Sequence, residues 1–242
     1  MKTPIHPARG PGFTLIELLV TIGIVAVLAA LIFSTSRTVI QSSQRGGSMS
    51  NLKSIASLGA VYSSDHNGAV FPYRTDEWGG SPITGDPHAF MMEFLPRQYG
   101  DQNYNVFRRP GDKLASITGT KRIFNNKIPW SYARNLSLPL DRKMHANPQY
   151  CSFNPLILSN PSKTMLLMET AGNAGIDASL KDHIYFDKPG PDGHCAVLFV
   201  DGHVELLKRD FLVDGATSSA TSLEDFRTLW FGFPDATVKY QY

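Results

Sequence analysis

The sequence is poor in cysteine and in net charge, and it has a single long apolar run. It contains two cysteines among 242 residues, and its formal net charge is +2. Lys2 and Arg9 account for that excess, so residues 13–242 carry 21 basic and 21 acidic side chains. Nucleic-acid binding needs a basic surface, and this balance provides none. We therefore expect no nucleic-acid partner.

Motifs of catalysis and of metal binding are missing as well. The sequence has no H-E-x-x-H, C-x-x-C or EF-hand spacing and no G-x-S-x-G, and its glycines form no phosphate-cradling pattern. We expect no enzyme activity, no catalytic residue and no cofactor. The weak candidates for a metal site are His194, Asp201 and His203, with His183 and Asp192 nearby. We favour the alternative that Asp201 forms a turn and the histidines make local hydrogen bonds.

The two cysteines, Cys151 and Cys195, suit an oxidising compartment. The sequence leaves open two alternatives, a disulfide between them and a pair of buried free thiols.

The apolar run begins near Phe13. Residues 15–33 contain one charge, that of Glu17. As a helix, residues 13–33 would be roughly 31 Å long, which is enough to cross a bilayer core. The basic leader favours a cytoplasmic N-terminus with the remainder exported.

Gly12 distinguishes this segment from a secretory signal. In a secretory signal the small residues of the cleavage site follow the apolar run, whereas Gly12 precedes it. Cleavage after Gly12 would remove the basic leader and keep the helix. Glu17 would then need a partner, because a charge at the centre of a membrane helix costs about 2.5–3.5 kcal/mol. The new amino group of Phe13 is the obvious cation.

The stretch from Gly12 to Val20, Gly-Phe-Thr-Leu-Ile-Glu-Leu-Leu-Val, resembles the class III signal of type IV prepilins and type II secretion pseudopilins. The resemblance implies that a prepilin peptidase cleaves after Gly12 and methylates Phe13. It also implies that Glu17 pairs with the terminus of a neighbouring subunit in a filament. The implied partners are the peptidase, other pilin or pseudopilin subunits, and the inner membrane before assembly.

The fold we expect is α+β and pilin-like. A leader (residues 1–12) precedes a long helix (residues 13–62), whose first half spans the membrane. The second half packs on a head (residues 63–242) with an antiparallel sheet and long loops. Leu52, Ile55, Leu58 or Gly59, and Tyr62 form the apolar stripe that predicts this packing, and Gly46-Gly47 predicts a bend. The alternative of a different class is a membrane-tethered periplasmic enzyme or metal-binding module that uses a prepilin-type signal.

Several segments of the head predict local structure. Asn67-Gly68 predicts a turn with positive φ, a better interpretation than a fragment of a calcium loop. Residues 162–170 predict a central strand, and Asp201-Gly202 predicts a type I′ hairpin between residues 195–200 and 203–207. A last helix is expected from Ser222 to about Trp230. Residues 73–163 predict short strands and long loops, with a possible helix at residues 90–95.

The head also resembles the H-x9-D-G pilin-like proteins of planctomycete- and verrucomicrobia-type bacteria. The resemblance lies in residues 62–72, in Ser131-Tyr132-Ala133-Arg134-Asn135 and in Asp201-Gly202. The segment 131–135 implies a core strand followed by a turn. Pro191 stands in the place of the histidine, and Ser48 and Arg109 stand where relatives often have two cysteines. The absence of both cysteines together fits the loss of a feature that needs the pair.

Overall fold

The computed structural model describes residues 13–71, 104–112, 131–138, 153–171, 175–176, 181–213 and 223–234. Its longest element is helix α1, Leu15–Asp65. Two further helices, α2 (Arg209–Val213) and α3 (Leu223–Phe231), follow the sheet. By their internal contacts, residues 1–43 and residues 44–242 form two compact units. The predicted helix at residues 90–95 and the capping residue Ser222 lie outside the described residues.

Helix α1 is long and apolar enough in its first half to cross a membrane, by length and composition. In the unit formed by residues 44–242, the helix buries Leu52, Ile55 and Tyr62 almost completely. These residues recur at helical spacing on one face. The predicted apolar stripe is therefore confirmed, and the helix ends three residues beyond the predicted Tyr62.

The end of α1 is made by Asn67 and Gly68, which have φ values of 55° and 80°. The Gly68 N–H donates to the carbonyl of Ser63 at 2.8 Å, and the Ala69 N–H donates to the carbonyl of His66 at 3.0 Å. Positive φ at both central residues defines a type I′ turn. The predicted Asn-Gly turn is confirmed.

Five strands form the sheet among the described residues, in the order β3-β1-β2-β4-β5. They are β1 (Tyr132–Asn135), β2 (Met165–Glu169), β3 (Gly175–Ile176), β4 (His194–Phe199) and β5 (Val204–Lys208). All pairings are antiparallel except that of the two-residue β3 with β1. The expected α+β arrangement, a long apolar helix followed by an antiparallel sheet, is confirmed.

Strand β2 lies in the middle of the sheet and is buried along its whole length. Leu166 and Leu167 contribute to a core that includes the buried stripe of α1. Met165 and Met168 contribute to a second core with α2 and α3. An irregularity of register between Met165 and Leu167 interrupts the usual alternation of faces. A strand covered on both faces is mostly apolar, which is why the apolar run within residues 162–170 predicted a central strand.

Strand β1 confirms the prediction for the segment 131–135. All four of its residues are buried. The turn after it is fixed by the Asn135 side chain, whose oxygen accepts a hydrogen bond from the Ser137 N–H at 2.9 Å. The Asn135 amide also donates to the carbonyls of Met165 and Trp230, at 3.0 and 2.8 Å. Asn135 therefore connects β1, β2 and α3.

The hairpin between β4 and β5 is confirmed, but its predicted turn type is wrong. Only Gly202 has positive φ (94°), whereas a type I′ turn would require it at Asp201 as well. The Gly202 N–H donates to the carbonyl of Phe199 at 3.0 Å, and the Phe199 N–H donates to the carbonyl of His203 at 2.9 Å. The loop therefore has three residues, with a left-handed glycine in its last position.

The two adjacent glycines of α1 have different surroundings. The helix runs through Gly46 and Gly47 without interruption. A Cβ added to Gly46 would meet no atom within 4 Å, whereas one added to Gly47 would lie 2.5 Å from Cγ of Pro110. Gly47 thus permits the close approach of Pro110, and Gly46 has no such role.

We expect opposite effects from Gly46→Ala and Gly47→Ala. Alanine favours a helix over glycine by about 1 kcal/mol, so Gly46→Ala should raise the free energy of unfolding by up to that amount. Overpacking typically costs about 1–3 kcal/mol, so Gly47→Ala should lower it despite the gain in propensity. Near-ultraviolet circular dichroism of the detergent-solubilised protein during thermal unfolding provides the measurement. Equal stabilisation by both substitutions would contradict the role of Gly47.

Candidate functional site

The N-terminus of α1 is held by a capping box formed by Thr14 and Glu17. The Thr14 N–H and hydroxyl both donate to Oε2 of Glu17, at 2.9 and 2.8 Å. In return the Glu17 N–H donates to the Thr14 hydroxyl at 3.3 Å. This reciprocal pattern satisfies backbone donors that the first helical turn leaves without partners. The carboxylate also interacts favourably with the helix dipole.

This cap was not among the sequence-based predictions, although the pattern T-x-x-E at residues 14–17 encodes it. Glu17 was expected to need an external cation, and it already has partners within its own chain. Both bonds from Thr14 go to Oε2. Among the described residues, Oε1 has no hydrogen-bond donor, so one carboxylate oxygen remains for a further partner. Gly12 lies outside the described residues.

The apolar side chains that follow the cap are exposed. Phe13 is 79% exposed, and every large aliphatic or aromatic side chain from Leu15 to Phe33 is more than half exposed. A continuous apolar surface of this extent marks contact with lipid or with another protein. The N-terminus therefore combines one carboxylate with a helix surface that needs an apolar environment.

The weak candidates for a metal site do not come together. His203 and Asp201 are neighbours, with 2.6 Å between Nδ1 and Oδ1. His194 lies at the other end of the hairpin, where it pairs with Lys208. At about 3.3 Å per residue the two histidines are roughly 16 Å apart along the strands. No group of three His, Cys, Asp or Glu residues suited to a metal ion occurs within the described ranges.

Asp201 and His203 instead form a local structure at the hairpin. Oδ1 of Asp201 accepts the backbone N–H of His203 at 3.1 Å in addition to the contact with the ring. The His203 ring stacks on Phe199 with 4.2 Å between centroids. These contacts agree with the turn that was favoured for Asp201 over a metal site.

Cys195 is a free thiol in β4 and is completely buried. Its Sγ lies 3.9 Å from the carbonyl oxygen of Glu169. Burial raises the pKa of this thiol well above its usual value, so the thiolate that reacts in exchange chemistry is disfavoured. Cys151 lies outside the described residues.

A buried polar cluster that the sequence analysis did not identify lies at Glu169, the last residue of β2. Oε1 of Glu169 accepts the Ser48 hydroxyl at 2.7 Å, and Oε2 accepts the Ala196 N–H at 2.7 Å. Burial raises the pKa of this carboxyl above its ordinary value. Arg109 is also buried and lies close enough to Glu169 to oppose that rise. Ser48 and Arg109 therefore both lie close to the buried carboxyl group of Glu169.

The comparisons with known proteins bear on the N-terminal segment. Residues 11–33 match the family model of the prokaryotic N-terminal methylation motif. The match supports the assignment of the chain to a type IV prepilin-like family. It covers the cap, Glu17 and the exposed apolar surface. No curated protein and no solved structure matches the chain.

We expect Asp201→Ala to weaken the hairpin and Asp201→Asn to preserve most of it. An asparagine oxygen can still accept the two hydrogen bonds from His203, whereas alanine cannot. The loss for Asp201→Ala should be about 1 kcal/mol of unfolding free energy, the typical net value of such a bond. Thermal unfolding of the two variants in detergent tests this expectation. If both variants lose the same unfolding free energy, the negative charge of Asp201 stabilises the hairpin and its role as a hydrogen-bond acceptor does not.

Proposed function

We propose that the chain is a structural subunit of a type IV pilus or a type II secretion pseudopilus. It is processed after Gly12 by prepilin peptidase, methylated at Phe13 and assembled through α1. The observation that supports this most strongly is the N-terminal match to the methylation motif together with an exposed apolar helix that carries one carboxylate. No observation on the described residues favours the alternative of a tethered enzyme or metal-binding module.

Assembly rather than catalysis is the proposed mechanism. Before assembly, residues 13–33 anchor the chain in the inner membrane, with the N-terminus cytoplasmic and the head exported. The helix then leaves lipid for the filament interior, where apolar surfaces of other subunits cover it. The filament lies in the periplasm or outside the cell.

Glu17 sets the axial register in this mechanism. An unpaired charge in an apolar filament interior is costly, and an opposite charge compensates for part of that cost. The cation is the amino group of Phe13 in a neighbouring subunit. Thr14 occupies Oε2, so Oε1 is the oxygen proposed to receive it. The cap thereby holds the carboxylate in one orientation before the partner arrives.

We expect the mature protein to begin at Phe13 and to carry one N-terminal methyl group. Mass spectrometry of the protein from cells with an active prepilin peptidase provides the measurement. Gly12→Val should block processing, because the cleavage site requires a small residue, and should leave the leader attached. A mature protein with any other first residue would contradict the proposal.

Three variants separate the charge of Glu17 from its capping role. Glu17→Val removes both, and we expect cleavage to continue while filament incorporation falls strongly. Glu17→Gln keeps a capping-box residue but loses the charge, and it should resemble Glu17→Val. Thr14→Val keeps the charge but removes the hydroxyl of the cap, and it should be incorporated far better.

The measurement is the ratio of filament to membrane protein, determined by shearing and immunoblotting, with cleavage verified for each variant. Incorporation of Glu17→Val at the wild-type level would contradict the register role. Normal incorporation of Glu17→Gln with failure of Thr14→Val would assign the effect to the cap instead.

A further inference from the structure

Residues 44–51 of α1 make several polar contacts with strands β1 and β2 and with the segments beside them. Asn51 donates to the carbonyl of Arg108 at 2.8 Å and to the Tyr132 hydroxyl at 3.3 Å. Ser48 donates to Glu169 at 2.7 Å, and Arg45 forms an ion pair with Asp187. We call these contacts of Arg45, Ser48 and Asn51 with Asp187, Glu169, Arg108 and Tyr132 the polar clasp.

The next turns of the same helix are held differently. Leu52, Ile55 and Tyr62 have exposures of 0, 0 and 5%, and burial of such a side chain stabilises by about 1.5–3 kcal/mol. This apolar contribution does not depend on protonation. Besides the polar clasp, residues 44–51 have two apolar attachments to the head. Gly47 lies close to Pro110, and Met49 is partly buried against the core. Their attachment therefore depends more on the polar contacts.

Glu169 is the critical member of the clasp because its charge is poorly compensated. Its side chain accepts hydrogen bonds from two neutral donors, Ser48 and the Ala196 N–H. Arg109 lies close by, but its guanidinium is 3.6 Å from the carboxylate of Asp112 and 3.2 Å from the centre of the Tyr185 ring. Its charge is thus shared with other partners.

Apart from Arg109, the titratable groups that interact electrostatically with Glu169 are acidic or neutral. The Asp187 carboxylate opposes ionisation of Glu169 and is itself paired with Arg45. Burial raises the pKa of Tyr132 to about 12 and that of Cys195 well above its usual value, so both are neutral near pH 7. An ionised Glu169 is therefore a buried charge without a cation of its own, which is unfavourable.

We propose that the polar clasp is a pH-sensitive latch, in which protonated Glu169 holds residues 44–51 of α1 on the sheet and ionised Glu169 releases them. The protonated carboxyl can donate its hydrogen to the Ser48 hydroxyl. Opening lets water reach the ionised carboxylate, while Leu52, Ile55 and Tyr62 keep the rest of the helix in place. The latch thus changes the length of α1 that is attached to the head.

The direction of the pH dependence follows from linkage. The pKa of Glu169 is raised in the closed state, and in the open state it returns towards about 4.3. The closed state is therefore fully favoured below the ordinary pKa of glutamate. It loses stability as the pH rises through the raised value. Acid closes the latch and higher pH opens it.

Hydrogen exchange of the full-length protein in detergent micelles, between pH 4.5 and 8, tests the proposal. Protection is compared for residues 44–51 and residues 52–62, after division by the intrinsic exchange rate at each pH. For wild type we expect protection of residues 44–51 to fall several-fold as the pH rises, because the pKa of Glu169 is raised in the closed state, while residues 52–62 change little. Glu169→Gln, which keeps one acceptor and one donor, should be highly protected at every pH.

Two further variants serve as controls. Asp201→Asn removes an exposed carboxylate at the hairpin. The pH dependence of protection in residues 44–51 should be the same in this variant as in wild type. Ser48→Ala removes the hydroxyl that Glu169 contacts on α1 and should lower protection of residues 44–51 most at low pH, where the latch is closed.

Three outcomes would overturn the latch. The first is that protection of residues 44–51 in wild type does not change with pH. The second is that Glu169→Gln keeps the pH dependence of wild type. The third is that residues 44–51 and 52–62 lose protection to the same extent as the pH rises. The wild-type comparison of the two segments needs no variant, so it decides the matter even if Glu169→Gln fails to fold.

Discussion

The packing of one face of α1 on the sheet is the contact on which the head depends. Leu52, Ile55 and Tyr62 belong to a core that also contains residues of β2 and β4 and several buried aromatic side chains from the segments between them. Without that helix, this core would lose three of its buried side chains. The opposite face of the sheet is covered by α2 and α3. Among the described residues, the sheet therefore packs against helices on both faces, and one of them is the helix whose first half is long and apolar enough to cross a membrane.

The sequence predicted the parts of this fold that rest on apolar periodicity and on turn residues. The stripe from Leu52 to Tyr62, the apolar run of β2 and the Asn67-Gly68 turn are local patterns with direct structural meaning. The hairpin at Asp201-Gly202 was predicted in position but not in type. The loop has three residues, because it begins at Val200 and not at Asp201. The dipeptide Asp-Gly alone does not reveal the length of the loop. The short parallel β3 left no pattern because two residues are too few.

Polar groups inside the head were beyond sequence reasoning for a different reason. Glu169 is the last residue of a buried strand, and nothing local shows that its partners are Ser48, 121 residues earlier, and the backbone of Ala196. Such networks depend on distant segments that meet only in the folded chain. The cap at Thr14 and Glu17, by contrast, is local and could have been predicted. It gives Glu17 a role within the subunit as well as the one proposed between subunits.

The large separation in sequence between α1 and the strands that cover it also governs the order in which the head can form. Leu52 packs in the same core as Leu198, which is 146 residues later. At a synthesis rate of about 5–20 residues per second, roughly 7 to 30 seconds pass between the appearance of the two. During that interval the apolar stripe of α1 has no sheet to cover it, and it is available to chaperones or to wrong partners. The apolar stripe of α1 is thus synthesised well before the strands that cover it, so the nascent chain exposes it for seconds.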